Sequence, residues 1–512
     1  MLLSKYQYKE VIYIKNMSDS NLLQNLPGLR DYYPAEFNKI LHILDTMRQV
    51  SISYGYNEYE GPSIEKQKLI EAKSGNELMK EIFKLKDRYD NALLLRPEQT
   101  PTLARMLAKE QQRFKKPIRW FSIPRLFRDE TPQKGRAREF FQLNVDILGE
   151  DSISADAEVI SLAIDILRKL GFQNKSFNLL INHRELLANY IESNTNIHAS
   201  TIIPIIDKKS SLVQDFITQK LEELGYSRQD ALKSSLLIRR IHNSSGQYKD
   251  QLMEKITNEL KNMIDQIENI EETVMIEKLM ASGIDKIGAE KIYKFTSIKG
   301  DSNHYFEKIQ NLDLPETCLN SFNELIQIKD FLNAHDVLSH VIFDNSLARG
   351  LDYYTGIVFE AFDATGQIVR AILGGGRYDD LVTSIGGSPL TGVGFGMGDL
   401  VVKELMEINN LFRDIEKNSV GIYIAPIKAT SIPASIQLAT RLRSKFKLLV
   451  NPFDWKLSRH FEFADLNNAK LCILIGPKDI ENNVISLRNM SDSSQHQIKI
   501  DKDLEQNIGQ YL

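Results

Sequence analysis

From Asp31 to Tyr54 apolar residues return at helical spacing, with Phe37, Leu41, Leu44, Met47 and Ile52 on the repeat and Gly55 as a stop, so the pattern predicts one long helix. Beyond it the chain turns to short apolar runs at 92–95, 117–123, 140–148 and 177–182, with helical stretches at 101–112 and 154–170 between some of them. The segments 117–127 and 138–148 are joined by a hairpin-length loop. That is too short for a parallel crossover, so the sheet is at least partly antiparallel. Residues from about 190 to 335 read as mostly helical; within them 249–272 puts Leu252, Ile256, Leu260, Met263, Ile264 and Ile267 on one face of an amphipathic helix. Strand-like runs return at 339–343 and 356–362, followed by glycine clusters at 374–376 and 392–398. From about 418, strands at 420–427, 447–450 and 471–475 alternate with helices at 432–446 and 457–467, which predicts a parallel-rich sheet covered on both faces.

The expected organisation is therefore α+β. An N-terminal extension (1–22) precedes the first part of a core domain (23–188); a helical insertion (189–335) interrupts that domain, which resumes at 336–412, and a separate α/β domain occupies 418–512. With 512 residues, 42% apolar and 26% charged, the composition is that of an ordinary globular chain and excludes a disordered or fibrous protein. The net charge of −4 gives no global attraction to a polyanion, so any nucleic-acid contact must come from local patches. The two cysteines, Cys318 and Cys472, cannot build a disulfide framework or a zinc site. No apolar stretch is long enough for a membrane span and the first twenty residues lack a signal-peptide core. A cytoplasmic location without membrane contact is the expectation.

Two basic patches change that picture. Residues 113–139 hold nine Lys/Arg against three acids, and 427–460 hold seven against the single Asp454, with Trp455 as an aromatic candidate. The first patch, on a hairpin, suits either a polyphosphate or a solvated sheet edge; the second suits either single-stranded RNA or a charged helix face.

The wording of the hairpin, Phe127-Arg128-Asp129-Glu130-Thr131-Pro132-Gln133-Lys134-Gly135-Arg136-Ala137-Arg138-Glu139-Phe140, resembles motif 2 of class II aminoacyl-tRNA synthetases in the form used by the histidyl-tRNA synthetase family. GLRDYYP at 28–34, Pro62 in a motif 1 position, LRPEQT at 95–100, FFQLNVDILG at 140–149, LARGLDYYTG at 347–356 and GGGRYDDL at 374–381 follow in the same family's order. The resemblance implies a class II antiparallel catalytic domain, a C-terminal anticodon-binding domain and a homodimer formed through the motif 1 region. It also implies histidine–tRNA ligase activity with L-histidine, histidine tRNA, ATP and Mg²⁺.

Carried over residue by residue, the resemblance makes Arg128 and Arg349 the catalytic arginines. Arg128 would hold the α-phosphate, and Arg349 would bridge the substrate carboxylate and that phosphate. Glu98, Thr100, Gln142, Asp146, Tyr353, Tyr354 and Tyr378 would receive histidine, and Glu130, Arg136 and Arg138 would join Arg128 around ATP. Gln133, Arg441 and Lys456 would meet tRNA, and no residue is assigned to a resident metal. Members of the family that serve as regulatory subunits of ATP phosphoribosyltransferase bind histidine without charging tRNA, and form the alternative reading. One departure stands out: where class II chains end motif 3 with Glu-Arg, this chain has Gly394-Phe395-Gly396-Met397-Gly398-Asp399-Leu400-Val401, and the next arginine is Arg413. The expectation is that Arg136 or Arg138, with Mg²⁺, compensates the γ-phosphate.

Overall fold

The protein is described by a computed structural model over residues 23–71, 78–133, 135–173, 176–242, 246–254, 256–348, 354–412 and 420–512. The proposed extension 1–22, Arg349, Tyr353 and Arg413 lie outside the described residues. The chain divides into two compact units, one taking in Ile40–Leu411 and the other Phe412–Leu512.

The first unit contains strands β1 (Asn57–Glu58), β2 (Ile64–Lys66), β3 (Lys84–Lys86), β4 (Ala92–Leu95), β5 (Ile118–Ser122), β6 (Arg125–Phe127) and β7 (Glu139–Leu148). It continues with β8 (Phe177–His183), β9 (Lys299–Gly300), β10 (Val341–Asp344), β11 (Ile357–Asp363), β12 (Leu373–Tyr378) and β13 (Gly392–Gly398). The large sheet has the order β1-β5-β7-β13-β12-β11-β8-β10-β9, with β6 also on β7, and a small sheet has the order β2-β4-β3. From β5 through β8 every pairing is antiparallel, as the short 127–139 connection requires. β8 and β11 are sheet neighbours although the helices from Arg184 to Ala334 lie between them in sequence. The sheet is thus closed by strands from both sides of the helical segment.

The helix Ile153–Lys169 covers this sheet because Ile153, Ala157, Ile160, Ile164 and Leu167 recur at helical spacing and are all buried against β7, β12 and β13. Each large apolar side chain so buried contributes about 1.5–3 kcal/mol. The charged residue Asp156 on this helix is wholly buried and accepts from Arg377 Nε at 3.1 Å and Nη2 at 2.5 Å, while Arg377 Nη1 donates to the Glu150 carbonyl at 3.0 Å. Arg377→Met would leave that carboxylate buried and unpaired. It should cost about 3–5 kcal/mol in urea unfolding.

One sequence reading is corrected. Residues 249–272 form parts of three helices, Gly246–Met253, Asn258–Asp265 and Ile267–Ala281, rather than one. The Thr257 side chain accepts from Leu260 N and starts a new helix inside the apolar repeat. The glycines at 374–376 lie within β12, paired with β11 and β13.

The second unit has β14 (Ile422–Pro426), β15 (Leu448–Val450), β16 (Leu471–Ile475), β17 (Val484–Asn489) and β18 (Gln495–Lys499) in the order β15-β14-β16-β17-β18. β15, β14 and β16 are parallel, and β17 and β18 extend the sheet antiparallel. Ile422 and Ile424 pack with Leu438, Leu442 and Ile508, whereas Tyr423 and Ala425 pack with Ala464 and Phe463. Alternation along β14 therefore sends consecutive residues to two helix-covered faces.

Candidate active site

β6 and β7 extend into the hairpin through Arg128 N donating to the Arg138 carbonyl at 2.9 Å, and its tip closes where Gln133 and Arg136 exchange backbone bonds of 3.0 and 2.9 Å. Gly135 occupies the turn at φ +71°, a conformation that disfavours side chains. Arg128 Nε donates to the Pro97 carbonyl at 3.1 Å and its guanidinium lies 5.4 Å from the Phe140 ring centroid. Thus motif 2 is fastened to the LRPEQT loop. Glu130, buried, stands 3.7 Å from Arg128 Nη1 and pairs with Arg136, whose Nη2 is 3.6 Å from Glu81. Arg138 pairs with Asp129 and donates from Nε to the Glu130 carbonyl at 3.2 Å. Three hairpin guanidiniums therefore face three carboxylates, and a polyphosphate entering here competes with protein anions for them.

A second cluster lies on β7. Gln142, Asn144 and Asp146 alternate onto one face, and their strand partners are Gly398, Gly396 and Gly394. A Cβ on Gly394 would sit 2.3 Å from Asp146 Oδ1, and one on Gly396 would sit 2.6 Å from Gln142 Nε2. The motif 3 glycines thus make room for these side chains. The Tyr378 hydroxyl donates to Asp146 Oδ1 at 2.5 Å, and Gln142 Nε2 donates to Asn144 Oδ1 at 2.8 Å. Desolvation pushes the Asp146 carboxyl up to about 7, with the Tyr378 bond pulling the other way. Such a group gains by meeting a cation.

Glu98 is buried, and Thr100 opens the helix Thr100–Glu110 half-buried. Between them Gln99 is fully buried and its Oε1 accepts from Arg96 Nη1 at 3.1 Å. Tyr59 is close enough to Asp146 for that carboxylate to raise its pKa, though desolvation is the larger cause. The Tyr59 hydroxyl, the Gln99 amide nitrogen and the Ser122 hydroxyl are buried without a hydrogen bond of normal geometry. Tyr354 is half-buried and packs on the cluster of Leu103, Leu107 and Tyr378. The structure therefore brings Asp146 and Tyr378 into direct contact.

In the C-terminal unit the seven basic residues of 427–460 are all exposed. Arg441 is committed to Glu505, at 2.7 Å from Nε to Oε1, whereas Lys456 stands exposed at the start of the helix Leu457–Leu466. Trp455 is half-buried, packed on Phe463 and His460 at 5.4 and 5.6 Å. The exposed aromatic is Phe453, 57% exposed and stacked on Trp455 at 5.7 Å. Sequence reasoning passed over it because two aromatics at i and i+2 do not declare which one faces water.

An antiparallel sheet carrying an arginine-rich hairpin beside a buried carboxylate cleared by glycines is the class II synthetase arrangement. The chain matches the family model described as histidyl-tRNA synthetase over residues 28–272 and 249–398, and that described as anticodon binding domain over 421–506. It is 31% identical over 477 residues to a histidine–tRNA ligase of Leptospira biflexa, covering 92% of this chain and 94% of that one. It is 30% identical to a histidine–tRNA ligase of Haloarcula marismortui, covering 93% and 95%. The fold matches the crystal structure of histidyl-tRNA synthetase from Nostoc with a TM-score of 0.69 at 22% identity, over 96% of this chain and 99% of that one. The chain belongs to the histidyl-tRNA synthetase family.

Proposed function

We propose that this protein is an ATP-dependent histidine–tRNA ligase. The observation that carries the reading is the buried Asp146–Tyr378 contact, in which Tyr378 on β12 meets Asp146 on β7, the strand that leads out of the motif 2 hairpin. Asp146 and Glu98 receive the histidine ammonium or ring nitrogen, Gln142, Thr100 and Tyr378 supply neutral hydrogen-bonding groups, and Tyr353 and Tyr354 line the imidazole side. A carboxylate oxygen of histidine attacks the α-phosphorus of Mg²⁺-ATP, the bond to the bridging oxygen breaks, and pyrophosphate leaves. Arg128, with Arg349, neutralises charge on the reacting phosphoryl group, and Glu130, Arg136 and Arg138 hold the nucleotide. A terminal ribose hydroxyl of tRNA then attacks the carbonyl and AMP departs. Among the described residues no group of three His, Cys, Asp or Glu could hold a metal ion. In this reading Mg²⁺ is the counter-ion of the triphosphate.

Gln133 at the hairpin tip and Lys456 with its basic neighbours meet tRNA, and Phe453 offers an exposed ring for base stacking. Arg441 shares its charge with Glu505 and contributes less than Lys456. Phe453→Ala should raise the tRNA KM in aminoacylation about tenfold more than it raises the histidine KM, the loss of one base–aromatic stack. The working unit is a homodimer built through the motif 1 region near Pro62. The 23–188, 189–335 and 336–412 segments then form one catalytic body with an inserted helical domain, and 418–512 reads the anticodon. Among the described residues no helix is long and apolar enough to cross a membrane, and a cytoplasmic site of action fits protein synthesis.

The fold also matches, with a TM-score of 0.59 at 21% identity, a Bacillus halodurans protein described as an ATP phosphoribosyltransferase regulatory subunit/histidyl-tRNA synthetase. Histidine-dependent exchange of pyrophosphate into ATP separates the two activities: the ligase performs it and a histidine-binding regulatory subunit does not.

A further inference from the structure

The first turn after β13 carries Asp399, Leu400, Val401 and Val402, all buried, and thus no cation. The hairpin arginines cannot supply a surplus of charge either, since three guanidiniums there face three carboxylates. A triphosphate with one Mg²⁺ still carries about two negative charges, and a partly desolvated site must balance them. A fourth guanidinium comes from elsewhere. Arg370, in the connection between β11 and β12, donates from Nη2 to Gln133 Oε1 at 3.2 Å, across 237 positions of sequence. Its Cδ lies 3.5 Å from where a Cβ on Gly135 would stand, and Val401 Cγ2 lies 3.4 Å from the same point. Arg370 therefore reaches the hairpin apex beside the side chain that occupies the motif 3 arginine position. Gly135, having no side chain, leaves the three segments in close approach.

We propose that Arg370 binds the β- and γ-phosphate end of ATP, taking the place of the arginine missing at Val401. This rests on the ligase reading and replaces the expectation that Arg136 or Arg138 alone makes up the charge. Arg370 is partly buried along its length while its bond to Gln133 lies at the exposed apex, where a bent triphosphate meets the guanidinium together with Arg136. Its bond to the Gln133 amide holds it on the hairpin before nucleotide arrives.

The test measures Mg²⁺-ATP and AMP binding calorimetrically, without histidine, on the full chain, and histidine-dependent exchange on the same samples. Arg370→Ala should weaken ATP binding and raise the ATP KM about tenfold or more, with AMP affinity and the histidine KM changed less than twofold. Arg370→Lys should fall between Arg370→Ala and wild type. Val401→Arg placed in the Arg370→Ala background should recover at least half of the lost ATP affinity on a logarithmic scale, a rescue that a merely structural Arg370 would not permit. Unchanged ATP affinity in Arg370→Ala overturns the proposal, as does an equal loss for ATP and AMP. If instead wild-type protein performs no exchange, the ligase reading fails, and ATP binding by the variants still decides the role of Arg370.

Discussion

Asp146→Asn should lower kcat/KM for histidine in pyrophosphate exchange about a hundredfold while making the unliganded protein more stable above neutral pH. The first effect follows because a cationic substrate loses its charge-assisted partner in a site closed to water, worth about 1.5–3 kcal/mol. The second follows from linkage. The folded-state pKa of Asp146, about 7, lies above the ordinary 3.8, so the folded protein binds this proton more tightly than the unfolded chain. Its contribution to stability is greatest below pH 3.8, is lost as pH rises towards 7, and costs most above 7. The asparagine variant carries no such penalty, so its advantage in chemical denaturation should open between about pH 4 and pH 7 and level off beyond, at roughly 2–4 kcal/mol. Histidine affinity of the wild type should correspondingly decline as pH falls through 7, because ligand selects the carboxylate. A variant no more stable at pH 8 than at pH 4, relative to wild type, would place the Asp146 carboxyl in a better-solvated setting.

Arg128→Ala should reduce the rate of exchange by about 10²–10³-fold with a smaller change in histidine affinity, since one preorganised donor at developing charge is worth that much. Arg128 is held by the Pro97 carbonyl and the Phe140 ring, so its head group is placed before ATP binds. Single-turnover adenylate formation measures the loss directly. A variant that raises only the ATP KM would show that Arg128 binds ground-state nucleotide and not the transition state.

The antiparallel core was legible because a short connection between two apolar runs permits one kind of pairing, and the helix Ile153–Lys169 because its repeat is unbroken. The residues 249–272 misled for the same reason: apolar periodicity continues across the Thr257 cap, and nothing in the repeat marks where the backbone restarts. The glycine cluster at 374–376 was visible, but not that Gly375 has no room for a side chain, a condition set by Phe359 and Phe395 from other strands. Glu98, Gln142, Asp146 and Tyr378 could be singled out from motifs as candidates. That Asp146 and Tyr378 touch could not, because their 232-residue separation is closed only by sheet order. Arg370 carried no motif at all. Its proximity to Gln133 and Val401 arises from how the β11–β12 connection meets the hairpin, which no local pattern encodes.

The most direct test of the ligase reading is ATP–pyrophosphate exchange by the purified full-length wild-type protein, run with each amino acid in turn and followed by charging of histidine tRNA. Exchange that depends on histidine alone, with histidine then transferred to the tRNA terminus, is the predicted result. Histidine binding without any exchange would contradict it.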